Sequence, residues 1–127
     1  MNNTPSSSGI ILFAHGSRDA LWRRPIEAVA ERTRNLSPGV WVMCAYLELT
    51  EPDLPTTVQH MMEKGVNKIS VIPMFLGVGK HAREDLPLLM QELKFTYPTV
   101  VFNLQKAIGE EPDLTHAMAQ IALRSLN

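Results

Sequence analysis

The sequence predicts one α/β domain, a four-stranded parallel sheet in βαβαβαβα order with helices on both faces. Three observations carry this. Four short apolar runs are mostly continuous rather than alternating, the pattern of strands buried on both sides. Segments with apolar residues three and four apart lie between them. An internal echo, Glu-Pro-Asp-Leu at 51–54 and again at 111–114, opens a helix after the second and the fourth strand, so the chain reads as two βαβα halves.

Residues 1–8 are polar, lack the basic and apolar regions of a signal peptide and read as a disordered tail; the domain is 9–127. Strand 1 is 9–14 (GIILFA). Helix 1 follows, with Trp22, Ile26, Val29, Thr33 and Leu36 stepping by four and three, Pro25 at an early helical position, and Ser37-Pro38-Gly39 as its stop. Strand 2 is 40–47 (VWVMCAYL). Helix 2 is 52–64, with Thr50 as cap, Asp53 three residues on, and Gly65 at its end. Strand 3 is 68–75 (KISVIPMF). Helix 3 is about 85–95, with Leu86, Leu89, Met90 and Leu93 on one face and Pro98 beyond. Strand 4 is 100–104 (VVFNL), and helix 4 runs over about 112–125.

At 127 residues the chain is long enough to bury one core. A net charge of -1 gives no electrostatic footprint for nucleic acid. The single cysteine, Cys44, excludes an internal disulfide and any cysteine-built zinc or iron–sulfur site. No apolar stretch approaches the ~20 residues of a membrane span, and the chain reads as cytoplasmic.

Right-handed crossovers place strand 1 beside strand 3 with strand 2 outside strand 1, and ligands bind such sheets at the carboxyl ends of the central strands. His15 follows strand 1 directly, and His81 follows strand 3 after a short glycine loop. Glu48 ends strand 2. Two imidazoles and a carboxylate suit a divalent transition metal such as Co, Ni, Fe or Zn. The plainer alternatives are solvated loop histidines and a rim carboxylate in a salt bridge. His60 and His116 fall inside helices 2 and 4 and read as structural or surface residues. Cys44 reads as a small buried core residue, and Met61, Met62 and Met90 as core filler. Gly77, Gly79 and Ala82 match a dinucleotide-type glycine pattern, but after the third strand and without the acidic residue expected about 20 positions on. His81 stands where a phosphate-binding loop of the Walker type needs Ser or Thr. No nucleophile has a base and an orienting partner, so covalent hydrolysis lacks support.

The segments ILFAHGSRD (11–19), AYLELTEPDL (45–54), GVNKISVIPMFLGVGKHAREDLP (65–87) and AIGEEPDL (107–114) together resemble the short CbiX-type sirohydrochlorin chelatases, relatives of the class II chelatases that include ferrochelatase. The resemblance implies a chelatase-like fold and ATP-independent insertion of Co²⁺, Fe²⁺ or Ni²⁺ into sirohydrochlorin, on the way to cobalamin, sirohaem or a nickel cofactor. The metal is a substrate, and no cofactor is permanently bound. His15 and His81 match the histidines that hold the metal and handle pyrrole protons, and Glu48 matches an assisting acid. The short forms look like one half of longer two-lobed enzymes, which implies a homodimer. Two departures bear on the pocket wall: AYLE at 45–48, and QKAIG at 105–109 in place of a proline-containing stretch. The substrate carries several carboxylates, which Arg18, Arg83 and Lys80 are placed to pair, with Arg23 and Arg24 nearby; solvated surface charge is the alternative for each. Two other functions use the same residues: a non-catalytic carrier of metal or tetrapyrrole, and a small metallohydrolase with metal-bound water.

Overall fold

The structure, a computed structural model, describes residues 7–127. Four parallel strands, β1 (Ser8–Ala14), β2 (Trp41–Tyr46), β3 (Lys68–Pro73) and β4 (Val101–Leu104), form one sheet in the order β2-β1-β3-β4. β1 and β3 are therefore central, as the crossover argument requires. Their register pairs Phe13 with Ala45 on one side and with Pro73 on the other.

Side chains alternate between the two faces of a strand, so each continuous apolar run feeds two cores. One face gathers Ile11, Phe13, Val71 and Phe102 under α2 (Leu54–Glu63) and α3 (Lys80–Thr96), with Met61 and Met90 among the buried filler. The other gathers Leu12, Ala14, Val42 and Tyr46 under Ile26 and Ala30 of α1 (Arg24–Leu36). Each large side chain removed from water contributes about 1.5–3 kcal/mol, so the α2/α3 face carries most of the stabilisation.

Several elements differ from expectation. Trp22 lies outside α1, in a 3-10 turn, Ala20–Arg23, where the Asp19 carboxylate accepts the Leu21 N–H. Of the apolar stripe expected to face the core, only Ile26 is buried; Val29 and Leu36 are exposed, and Ala30 supplies the second contact. A methyl group lets the helix approach the sheet closely, which the periodicity of larger side chains does not reveal. Cys44 is half-buried rather than buried, and burial raises its thiol pKa, which leaves it protonated and unreactive near neutrality. Tyr46, buried beneath Trp22 at a ring distance of 6.3 Å, has its phenol pushed up to about 12, first by burial and then by Cys44 and Glu27.

α2 begins at Leu54, and its cap is Asp53, not Thr50: the Asp53 carboxylate accepts the Thr56 N–H at 2.9 Å. The Thr56 side chain first, and then that N–H, stabilise the charged form and hold the Asp53 pKa below its ordinary value. A lowered carboxylate pKa gives stability that is complete above the unfolded value of about 3.9 and is lost as the pH falls through the folded value. Asp53→Ala is expected to cost about 1 kcal/mol at pH 7. In urea titrations the gap between variant and parent closes as the pH drops below the carboxylate range; an equal gap at both pH values would contradict the cap.

α3 begins five residues earlier than expected, with Gly79 in extended conformation at the N-cap and Pro87 inside the helix. A proline is comfortable in a first turn, which is what a start at Asp85 would have given it; here the helix gives up the N–H that would have bonded one turn back. The earlier start moves His81 from a loop into the first turn of α3. β4 leads through a second 3-10 turn, Ile108–Glu110, into α4 (Pro112–Arg124), none of whose residues is buried. Among the described residues no helix is long and apolar enough to cross a membrane.

Candidate active site

The loops that leave β1 and β2 are tied together. Leu47 N–H donates to the Ala14 carbonyl at 2.9 Å and Glu48 N–H to the His15 carbonyl at 3.0 Å. The Thr50 hydroxyl donates to the Ser17 carbonyl at 2.7 Å and accepts the Ser17 N–H at 3.0 Å. This is the work of Thr50, in place of capping α2. Between them Leu49 sits at φ +63°, and Thr50 N–H closes on the Glu48 carbonyl at 2.8 Å. Such a three-residue turn with positive φ at its centre is rare and strained in an L-residue. Opposite it, Gly16 takes φ +102°, and a Cβ there would lie on the Glu48 carbonyl.

His15 is exposed, and its imidazole stacks on Phe75 with ring centres 4.3 Å apart and planes 29° apart. Phe75 in turn meets Phe13 edge-on at 6.2 Å. Phe13 and Leu86 floor a cavity of about 270 Å³ whose polar lining includes His81 and, one helical turn on, Asp85. His15 thus stacks on Phe75 just after β1, while His81, in the first turn of α3, lines a cavity floored by Phe13, which meets Phe75 edge-on. Sequence reading missed this floor. Its signal was present in Phe75, which ends the third apolar run six residues before His81, and in the four-residue step from His81 to Asp85.

Glu48 is placed differently. Its backbone touches His15, but its side chain lines a second, wider cavity of about 760 Å³ with Glu51, Asp53 and His60. Leu47 lines both cavities. Among the described residues no three His, Cys, Asp or Glu side chains gather into a metal-holding cluster. Two imidazoles and Glu48 therefore do not make a closed ligand set within one chain. Arg18, Lys80 and Arg83 are exposed and, among the described residues, join no ion pair; Arg23 instead pairs with Glu27 at 3.1 Å. His60 and His116 are exposed helical residues.

The sequence model of the CbiX family matches residues 9–124. The chain belongs to the CbiX family. It is 35% identical over 81 residues to the sirohydrochlorin cobaltochelatase of Methanopyrus kandleri, covering 64% of this chain and 57% of that protein. The match thus spans little more than half the length of that relative. A solved CbiX structure from Marinobacter aquaeolei VT8 superposes with a TM-score of 0.83 at 36% identity, covering 94% of this chain and 97% of that one. The sirohydrochlorin chelatase SirB from Bacillus subtilis subspecies spizizenii, solved in complex with cobalt, gives a TM-score of 0.74 at 26% identity, covering 91% of this chain and 51% of that one. The four-stranded sheet order matches that membership.

Proposed function

We propose that this chain, as a cytoplasmic homodimer, inserts a divalent metal into sirohydrochlorin without ATP, Co²⁺ being the metal we assign first and Fe²⁺ or Ni²⁺ the alternatives. The observation that carries the reading is the exposed His15 imidazole stacked on Phe75, with the exposed His81 in the cavity floored by the neighbouring Phe13, on a chain similar along its length to a CbiX structure and in part to proteins named as sirohydrochlorin chelatases. No permanently bound cofactor is needed, since the metal enters as substrate.

The chemistry fits the residues. A macrocycle with two pyrrole N–H groups takes up M²⁺ and gives up two protons. Imidazole is the side chain whose ordinary pKa lies close to neutrality, so in its neutral form it accepts a proton or binds a divalent metal. His15 and His81 offer two such groups, and an open pair without a third ligand holds the ion loosely enough to release it to four ring nitrogens. The apolar floor suits a flat ring. Arg18, Arg83 and Lys80, unpaired among the described residues, are available to its carboxylates. Glu48, joined to the His15 backbone but facing the neighbouring cavity, assists by taking protons outward.

The test is anaerobic absorbance spectroscopy of sirohydrochlorin with Co²⁺, Fe²⁺ or Ni²⁺ and catalytic amounts of protein. The expected result is accelerated insertion well beyond one equivalent per chain with no nucleotide present. A change that stops at one equivalent would make the protein a carrier, and no acceleration with any of the three metals would overturn the reading.

A further inference from the structure

Nothing in the fold requires two of the glycines beside His81. Gly77 and Gly79 lie in the loop between β3 and α3, and both are exposed. Neither takes the positive φ that favours glycine, and nothing lies within 4 Å of the position a Cβ would occupy on either. Gly79, at φ -65° and ψ 160°, is the N-cap of α3 and gives that helix no side-chain hydrogen bond. Serine would cap it better. Glycine at such places lowers stability, because the unfolded chain has more conformations to lose. Gly16 is the contrast, held to glycine by φ +102° and by the Glu48 carbonyl.

The loop is tethered at both ends. Gly109 N–H donates to the Phe75 carbonyl at 2.9 Å, and a Cβ on Gly109 would fall on the Leu76 backbone. Arg83 N–H donates to the Gly79 carbonyl at 3.0 Å. Between these tethers Val78 packs against the core under α2 and α3. So short and anchored a segment is a poor hinge, and what remains for the glycines is close approach of another molecule to their backbone. The neighbours indicate its chemistry. Phe75, two residues before Gly77, carries the His15 stack, Leu76 is 68% exposed, and His81 lies two residues after Gly79. No charged side chain stands between Phe75 and Lys80. The bare backbone joins, along the chain, the ring under His15 to the helical turn that carries His81, and it suits a flat hydrocarbon surface.

We infer that the backbone of Leu76–Gly79 is a contact surface for the tetrapyrrole ring, and that Gly77 and Gly79 determine how closely the ring can seat. This rests on the chelatase reading above and names a further contact within that site. Ring carbons pack at about 3.5–4.0 Å from the atoms they touch. A side chain on either glycine would fill that space and hold the ring off. A misplacement of about 1 Å at reacting groups costs on the order of 10²-fold in rate.

The test sets folding against binding. Gly77→Ala and Gly79→Ser are expected to melt at or above the parental temperature, since neither meets a clash and serine improves the cap. Metal-free sirohydrochlorin titrated into each, followed by absorbance, is expected to bind at least about tenfold more weakly than to the parent, with insertion at low tetrapyrrole falling at least as far. Gly77→Leu is expected to bind more weakly than Gly77→Ala. Alanine and leucine restrict the backbone alike, so equal effects of the two would mean lost loop freedom and would overturn the contact. Gly39→Ala, as open but in the turn before β2, is expected to bind as the parent does. A lower melting temperature in Gly77→Ala or Gly79→Ser would give that glycine a role in the fold and overturn the inference. Parental binding and turnover in both would overturn it too, and leave the chelatase reading standing. A parent that neither binds nor metallates sirohydrochlorin would overturn both.

Discussion

Replacing His81 with alanine is expected to reduce metal insertion by about 10²- to 10⁴-fold, the range for loss of a positioned proton acceptor, and His15→Ala to do the same. Both side chains are exposed, so neither change creates a core cavity, and the melting temperature should move little. The two variants are expected to differ in one respect. His15 gives up its stack on Phe75, whereas His81 shares its cavity with Asp85, a second acceptor one turn away. More residual activity is therefore expected in His81→Ala than in His15→Ala. Rates measured at saturating metal and tetrapyrrole, beside circular dichroism to confirm folding, check both points. If either variant keeps the parental rate, that histidine is not part of the machinery. Phe75→Ala tests the floor itself: it removes a buried ring, so it is expected to cost both stability and rate.

The sheet order was legible because continuous apolar runs and short connections leave few topologies once right-handed crossovers are imposed. His15 follows β1 directly, as expected, whereas His81 lies in the first turn of α3 rather than in the loop after β3. What was not legible lies where one residue type has several uses. Thr50 and Asp53 both carry oxygens that suit a helix cap, and only the path of the loop after β2 decides that Asp53 caps while Thr50 braces Ser17. Glu48 ends an apolar run beside strand 1, as expected, but the turn at Leu49 directs its carboxylate to the neighbouring cavity. α3 starts at Lys80 rather than about Asp85, because its first turn lies ahead of the apolar stripe from Leu86 that marks the helix in the sequence. That α4 buries none of its residues could not be read at all, since periodicity reports an apolar face and not what covers it.

Gly16→Ala is expected to be among the most damaging single-methyl additions in the chain, costing about 3 kcal/mol or more and lowering the melting temperature by roughly 10 °C. Two costs combine. An L-residue at φ +102° pays for a conformation that only glycine adopts freely. The added Cβ also lands on the Glu48 carbonyl, which has nowhere to go. Glu48 N–H is bonded to His15, its carbonyl is bonded to Thr50 N–H, and the Thr50 hydroxyl is bonded to Ser17. Gly39→Ala is the control: nothing lies within 4 Å of its Cβ position, so it is expected to be neutral or slightly stabilising. Thr50→Val separates brace from clash. It removes the two bonds to Ser17 without adding bulk at Gly16, and is expected to cost about 1–3 kcal/mol. If the two loops act as one unit, Gly16→Ala and Thr50→Val both lower the insertion rate, because both loosen the backbone that carries His15, and their combined cost is less than the sum of the two. A Gly16→Ala protein as stable and active as Gly39→Ala would show that the β1 and β2 loops move independently, and that the position of His15 depends on the Phe75 ring alone.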